Sequence, residues 1–419
     1  MNGVDSTLSC AVVGGGVIGL CTALQLRRRG LDVTLIDANL PGTGASFGNA
    51  GFLAVESIDP LSTWTTLKAA PAMLLDKNGP LKVPAGNRLA ALSWLARFGM
   101  AARPAVVEKN RSALASLNSH AVKSWQTCLD SIGQAHLLVQ SGYLLAWENS
   151  AGLVSARQER DHLRRWGITV DLIDSQAIDA LEPALCGRFS HALYFADAWR
   201  VRDPKWLCDA LFQAFIKQGG IFVQRRVERI DLSRPQPRLC LAGEFRSFSR
   251  LVLCAGAHSA QLLAPLGIQI PLMAERGYHL HCHGVSEILG RPICPVERKV
   301  FLSPLDSGLR VVGISELGGT QLPEQPSSFA TLKHHAKALF PSLVDQLDNA
   351  EHWMGMRPTL PDSLPVIDTL AQHCNTVVAF GNQHLGLTQA AISAQLAVNR
   401  LLGERPIIEL LPFGIERFK

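Results

Sequence analysis

Leu8-Ser-Cys-Ala-Val-Val13 is a short apolar run that ends in Gly14-Gly-Gly-Val-Ile-Gly19, and an apolar helical pattern continues from there to Arg29. Gly30 stops that helix, because glycine takes the left-handed conformation that a helix end requires. A second apolar run, Val33-Thr-Leu-Ile36, closes on Asp37. Strand, glycine turn, helix, strand and terminal acid within about 30 residues make a mononucleotide-binding half. Each part has a physical reason. Gly14 permits the tight turn, Gly16 lets a pyrophosphate approach the backbone, and Gly19 lets the helix pack on the strand. The helix N-terminus, with Val17 and Ile18 in its first turn, then faces negative charge. Asp37, followed by Ala38, is placed to accept hydrogen bonds from a ribose. The unit predicts a bound dinucleotide.

Further along, residues 43–51 are rich in small side chains, and residues 60–138 read mainly as helix, with breaks at Pro71, Gly79-Pro80, Pro84 and Pro104. Gly142-Tyr-Leu-Leu-Ala-Trp147, Ile221-Phe-Val-Gln224, Arg250-Leu-Val-Leu253 and Thr376-Val-Val-Ala-Phe380 read as strands. Helices are expected over residues 151–165 and 204–218, and a long final helix is expected to begin near Thr388. Residues 299–314 suggest a hairpin turning at Asp306-Ser-Gly308. Strands alternating with helices point to a parallel α/β sheet interrupted by insertions.

A chain of 419 residues has room for two cores. It is 47% hydrophobic and 18% charged, which describes a globular protein and excludes a disordered one. The net charge of +5 is concentrated between Leu61 and Val107, where Lys68, Lys77, Lys82, Arg88, Arg97 and Arg103 face the single acid Asp76. Interleaved with Met73, Leu74, Leu75, Leu92 and Trp94, these basic residues fit two readings. One is an amphipathic segment packed on its own core; the other is a peripheral contact with an anionic membrane. Neither a nucleic-acid-binding motif nor an aromatic-basic interleave accompanies the charge, so no nucleic-acid partner is expected. No run reaches the length of a spanning helix, and the apolar stretch 8–26 lacks the polarity of a signal peptide, so a cytoplasmic location is expected. The ten cysteines show no CxxC pair and are expected to be buried free thiols.

Three later stretches specify the dinucleotide: Ala45-Ser-Phe-Gly-Asn-Ala-Gly51, Leu253-Cys-Ala-Gly256 and Gly381-Asn-Gln-His-Leu-Gly-Leu-Thr388. With Trp353-x-Gly355-x-Arg357-Pro358-x-x-Pro361-Asp362-x-x-Pro365-Val366-Ile367 they form an ordered set. That set resembles the D-amino-acid oxidase and glycine oxidase superfamily, particularly the bacterial D-amino-acid dehydrogenases, from about Ser9 to Gly403. The resemblance implies an α/β chain in which a Rossmann-like FAD-binding domain is assembled from residues 1–60, 188–268 and 350–419. A second, α+β substrate domain with a mainly antiparallel sheet would comprise residues 61–187 and 269–349.

The resemblance also implies roles. Gly14, Gly16, Gly19 and Asp37 would hold the ADP half of FAD, and Val227 would meet the adenine through its main chain. Ser46, Asn49, Ala50 and Gly51 would pass near the pyrophosphate and flavin, with Ala255, Gly256, Gly355 and Gly381 bordering the same site. Gly386, Leu387 and Thr388 would aim a helix N-terminus at the flavin N1 and C2 carbonyl. Arg357 would grip a substrate carboxylate, and Tyr278 and His384 would line the pocket. Asn382 stands where the family often has histidine after the loop glycine. The implied reaction is oxidative deamination of D-amino acids to 2-oxo acids and ammonia by hydride transfer to flavin N5, with no obligatory acid or base. Electrons would pass to a quinone or another acceptor. Cyclic or secondary amines such as D-proline, D-hydroxyproline or sarcosine are an alternative substrate class, and a flavoprotein subunit of a larger complex is another reading. His279, His281 and His283 alternate on one strand, but no carboxylate or cysteine pattern completes a metal site, so none is expected.

Overall fold

The computed structural model describes residues 8–419, apart from the side chains of Leu89 and Ala90. Its first sheet has six strands in the order Ile221–Gln224, Asp32–Asp37, Ser9–Val13, Arg250–Leu253, His373–Phe380 and Val366–Leu370. All neighbours are parallel except the last pair. Chain order reverses at Ser9–Val13, whose neighbours come from residues 32–37 on one side and 250–253 on the other. Such a switch point opens a crevice at the carboxyl ends of the strands. Helices Val17–Arg28 and Gly386–Leu402 pack together on one face of this sheet, backed by Ala121–Asp130 and Pro204–Lys217. Three short antiparallel strands, Val227–Asp231, Arg238–Leu241 and Glu244–Ser247, add to the core on the other face.

The second sheet runs Glu351–Thr359, Met273–His283, Gly308–Glu316, Phe301–Leu305, Ile293–Pro295, Tyr143–Trp147, His191–Phe195 and Asp171–Asp174, and Leu81–Lys82 pairs with Gly308–Glu316. It is antiparallel except at the pairings of Ile293–Pro295 with Tyr143–Trp147 and of Leu81–Lys82 with Gly308–Glu316. The expected hairpin is present, with Leu305 opposite Gly308 across a two-residue turn. Glu351–Thr359 and His191–Phe195 belong to this sheet and not to the cofactor-binding segments in which the sequence boundaries placed them. Each satisfies its backbone groups against strands of the second sheet, and that long-range pairing leaves no mark on local sequence.

The helical stretch resolves into Trp64–Leu75, Arg88–Ala101, Pro104–Asn118 and Ala121–Asp130. Pro104 starts its helix, where a missing N–H costs nothing, whereas Pro71 lies inside Trp64–Leu75 instead of ending it. That helix contains no buried residue. Of the cysteines, Cys186 and Cys374 are exposed and Cys294 is half-buried; the other seven are buried as expected, and all ten are free thiols. Among the described residues, no helix is long and apolar enough to cross a membrane.

Candidate active site

The glycine turn sits at the carboxyl edge of the first sheet, where the Gly14 N–H donates to the Ile36 carbonyl at 2.8 Å. Gly14 has φ +108°, and a Cβ there would run into the Cys254 carbonyl; a Cβ at Gly19 would run into the carbonyl of Gly14. A Cβ at Gly16 would meet only Ser46 Oγ, at 3.4 Å. Ser46 Oγ accepts from the Val17 N–H at 2.9 Å, and Asp37 Oδ2 accepts from the Gly15 N–H at 2.6 Å. The sequence thus sets down a turn, a helix start and an acid within one continuous network.

A cavity of about 1080 Å³ runs from this turn to the second sheet. Gly14, Gly16, Val17, Ile18, Asp37, Ala38, Ser46, Asn49, Ala50, Val227, Ala255, Gly256, Gly355, Gly386 and Leu387 all border it, as do Tyr278, Arg357 and His384. Four expected residues stand behind the wall. Gly19 packs helix on turn, and the Gly51 N–H donates to Asn49 Oδ1. Gly381 lies against Leu360, and Thr388 Oγ1 accepts from the Ala54 N–H at 3.0 Å. Gly355 has a steric reason of its own, because the Trp353 indole fills the space that a Cβ at either Gly48 or Gly355 would need. Arg310 holds the loop before Gly51 by donating Nη1 to the carbonyls of Phe47 and Asn49, at 2.8 and 2.7 Å.

Asn382, the departure from the family pattern, anchors the loop before the last helix. Its Nδ2 donates to Gln389 Oε1 at 2.9 Å and Ser393 Oγ at 3.0 Å. Gln389 Nε2 then donates to Asn118 Oδ1, and Asn118 Nδ2 to the Ser57 carbonyl. One buried chain of amides thereby ties the final helix to the turn after Phe52–Leu53. The final helix begins at Gly386 without a side-chain cap, and a Cβ at Gly386 would meet no atom within 4 Å. Open space at Gly386, Gly44 and Gly256, all bordering the cavity, leaves backbone within reach of a phosphate-bearing ligand.

On the second sheet, strand Met273–His283 alternates. Glu275, Gly277, His279 and His281 share the face toward the cavity, while Tyr278, Leu280 and Cys282 join the core under helix Pro326–Leu339. Tyr278 borders the cavity, but its ring packs edge-on against Phe329 at 5.2 Å. Its hydroxyl is taken up by Arg276, Glu316 and the Gln325 N–H. Tyr278 thus borders the cavity while its hydroxyl is engaged on the other face of the strand.

Arg357 and His384 are brought together with Glu275, which the sequence reading did not single out. Arg357 Nη1 donates to Glu275 Oε1 at 2.9 Å and to the Ile314 carbonyl at 3.2 Å. Glu275 also accepts from Ser315 Oγ and Thr359 Oγ1, each at 2.7 Å. Burial pushes the Glu275 carboxyl up, but Arg357, these hydroxyls and His384 together bring it below its ordinary value. Ile314 holds φ +61°, rare for a β-branched residue, and lies next to the bulge between Arg276 and Tyr278. The guanidinium lies over Gly277, where any side chain would displace it. Nε and Nη2 have no hydrogen-bond partner among the described residues, so one complete edge of the fork is free. His384 borders the cavity, and desolvation there holds it down to about 4, against Glu275, which raises it. It is a neutral imidazole at neutral pH.

The three alternating histidines each find partners outside the strand, and the His281 and His283 rings also meet edge-on at 4.4 Å. His279 Nδ1 donates to the Gly48 carbonyl at 3.2 Å, and its ring stacks on Trp353 at 4.9 Å. His281 bonds the Ser307 carbonyl and His283 the Glu351 carboxylate. Burial, with Arg310 nearby, holds His279 down to about 2 and His281 to about 4.

A family described as FAD dependent oxidoreductase, DAO, matches residues 9–400. The chain belongs to this family of flavoenzymes. It is 29% identical over 415 residues to a D-amino-acid oxidase of Bradyrhizobium diazoefficiens, covering 97% of this chain and 98% of that protein. It is 27% identical over 427 residues to D-amino acid dehydrogenase 2 of Ralstonia nicotianae, covering 98% and 100%. The fold matches glycine oxidase from Geobacillus kaustophilus with a TM-score of 0.73 at 19% identity, over 98% of this chain and 99% of that one. The chain is thus a FAD-dependent oxidoreductase of α/β architecture, with a Rossmann-like FAD-binding domain of discontinuous segments and a second domain built on a mainly antiparallel sheet.

Proposed function

We propose that this oxidoreductase deaminates D-amino acids to 2-oxo acids and ammonia. The observation that carries the reading is the free edge of Arg357, a planar fork matched to a carboxylate and opening into the cavity that contains the glycine turn. The names of the two relatives, both acting on D-amino acids, support it. Gly14, Gly16 and Asp37 would hold the ADP half of FAD, Ser46, Asn49 and Ala50 its pyrophosphate and flavin, and the N-terminus of Gly386–Leu402 the pyrimidine edge. The chemistry that FAD supplies when bound is acceptance of a hydride from the α-carbon. The chain's own part is orientation. Glu275 fixes one side of Arg357, so the other side presents a carboxylate in a single direction. Neutral His384 offers a hydrogen bond without adding a cation that would repel the amine. No side chain is needed as an obligatory acid or base in this scheme.

In an anaerobic visible spectrum, D-amino acids should bleach the flavin band while their L-enantiomers do not. Bleaching by D-hydroxyproline or sarcosine alone would move the substrate to the secondary amines. A flavin that no amine bleaches would overturn the reading.

Electrons are proposed to leave to a membrane quinone. Leu61, Trp64, Leu74, Leu75, Leu92 and Met100 are exposed apolar residues, interleaved with exposed Lys68, Lys77, Arg88, Arg97 and Arg103. Helix Trp64–Leu75 buries none of its residues. Basic and apolar side chains on one exposed segment fit an anionic lipid surface. The protein should float with vesicles containing anionic lipid, and the double variant Leu74→Glu, Leu75→Glu should stay in the soluble fraction. Equal flotation of both proteins would remove this contact.

A further inference from the structure

The cavity that holds Arg357 also takes in Glu56, Phe52, Tyr143, Cys294 and Phe301. Glu56 lies in the turn after strand Phe52–Leu53, where the Ile58 N–H donates to the Glu56 carbonyl at 2.8 Å. Two anchors fix that turn against the site. Ala54 N–H bonds Thr388 at the start of the final helix, and the Ser57 carbonyl accepts from Asn118. Around the turn stands an aromatic wall, with the Phe52 ring 4.6 Å from Tyr143 and 5.4 Å from Phe301.

No cation of the described residues pairs with Glu56. Lys299 borders the same cavity but forms no ion pair with Glu56 among the described residues. Burial pushes the Glu56 carboxyl up to about 8, opposed only by its own backbone N–H. A carboxyl held there rests largely protonated at neutral pH, and a cation bound beside it would draw it into the ionised form. The proposed substrate already has its own carboxylate placed at Arg357, so a cation meeting Glu56 must come from elsewhere on the molecule.

We propose that Glu56 anchors the substrate side chain and selects amino acids whose side chain ends in an ammonium or guanidinium group. This rests on the amino-acid reading of the cavity. The aromatic faces of Phe52, Tyr143 and Phe301 suit both the charge and the methylene stem of such a side chain.

The test compares D-lysine and D-arginine with D-norleucine and D-methionine by the rate of anaerobic flavin bleaching, in the native holoenzyme and in Glu56→Gln. The expected native ratio of kcat/KM for D-lysine over D-norleucine is about tenfold or more, because a charge-assisted contact is lost with the apolar side chain. In Glu56→Gln that ratio should fall toward one. A native ratio near one, or a ratio unchanged in the variant, would overturn the assignment while D-norleucine bleaching keeps the amino-acid reading intact. Failure of all four compounds to bleach the native enzyme would instead sink that reading and this assignment with it. Should Glu56→Gln not fold, the native ratio alone still decides.

Discussion

Arg357→Lys is expected to lower kcat/KM for D-amino acids by about 100-fold or more, mostly through KM, while the purified protein still carries FAD. The reason is geometric. In the native site Nη1 is spent on Glu275 and the Ile314 carbonyl, and the opposite edge, Nε with Nη2, is left for the substrate. Lysine keeps the positive charge that Glu275 needs but has one nitrogen where the fork has three, so it cannot satisfy Glu275 and orient a carboxylate together. Arg357→Ala is a poorer probe. It strands Glu275 as an unpaired buried carboxylate, and removing one partner of such a pair costs about 3–5 kcal/mol of stability. The two variants should therefore separate in thermal unfolding, with the lysine form near the native midpoint and the alanine form well below it. A native-like KM in Arg357→Lys would remove Arg357 from the carboxylate role.

The cofactor half of the fold was legible because its information is local. Glycines at fixed offsets, a helix stop at Gly30 and an acid closing the second run all fall within residues 14–37, and the structure puts each where the spacing implied. The substrate half was legible only in part, because its determinants are pairings between distant segments. Glu275 meets Arg357 across 82 residues, and nothing near residue 275 announces the partner. Period-two alternation was the one available signal. Counting from His279 puts Glu275 and Gly277 on its face and the Tyr278 hydroxyl on the opposite one. Glu56 escaped for another reason. It sits in a non-repeating turn whose position depends on Asn118, Gln389 and Asn382, three amides from two helices and a loop. Asn382 likewise looked like a departure from the family pattern until its buried partners were visible.

The three glycines of the turn should fail in two distinct ways when each becomes alanine. At Gly19 the added methyl would meet the Gly14 carbonyl, and at Gly14 the Cys254 carbonyl, both of them backbone atoms fixed between strands. Neither contact can be relieved by a side-chain rotation, and Gly14 also holds φ +108°, which an L-residue rarely adopts. Overpacking of this kind costs about 1–3 kcal/mol or more, so Gly14→Ala and Gly19→Ala should destabilise the apoprotein itself, before any question of ligand arises. Gly16 differs. Its methyl would find only Ser46 Oγ, at 3.4 Å, on the side of the turn that borders the cavity. Gly16→Ala should leave the apoprotein's unfolding midpoint near native and raise the dissociation constant for FAD about tenfold or more, because the lost approach is that of a phosphate to the backbone. Gly99→Ala, inside helix Arg88–Ala101 with no atom within 4 Å of the new methyl, is the control and should match or slightly exceed native stability with unchanged FAD content. Flavin fluorescence titration of the apoproteins separates these outcomes. Native affinity in Gly16→Ala would mean that the pyrophosphate does not approach the backbone at this glycine.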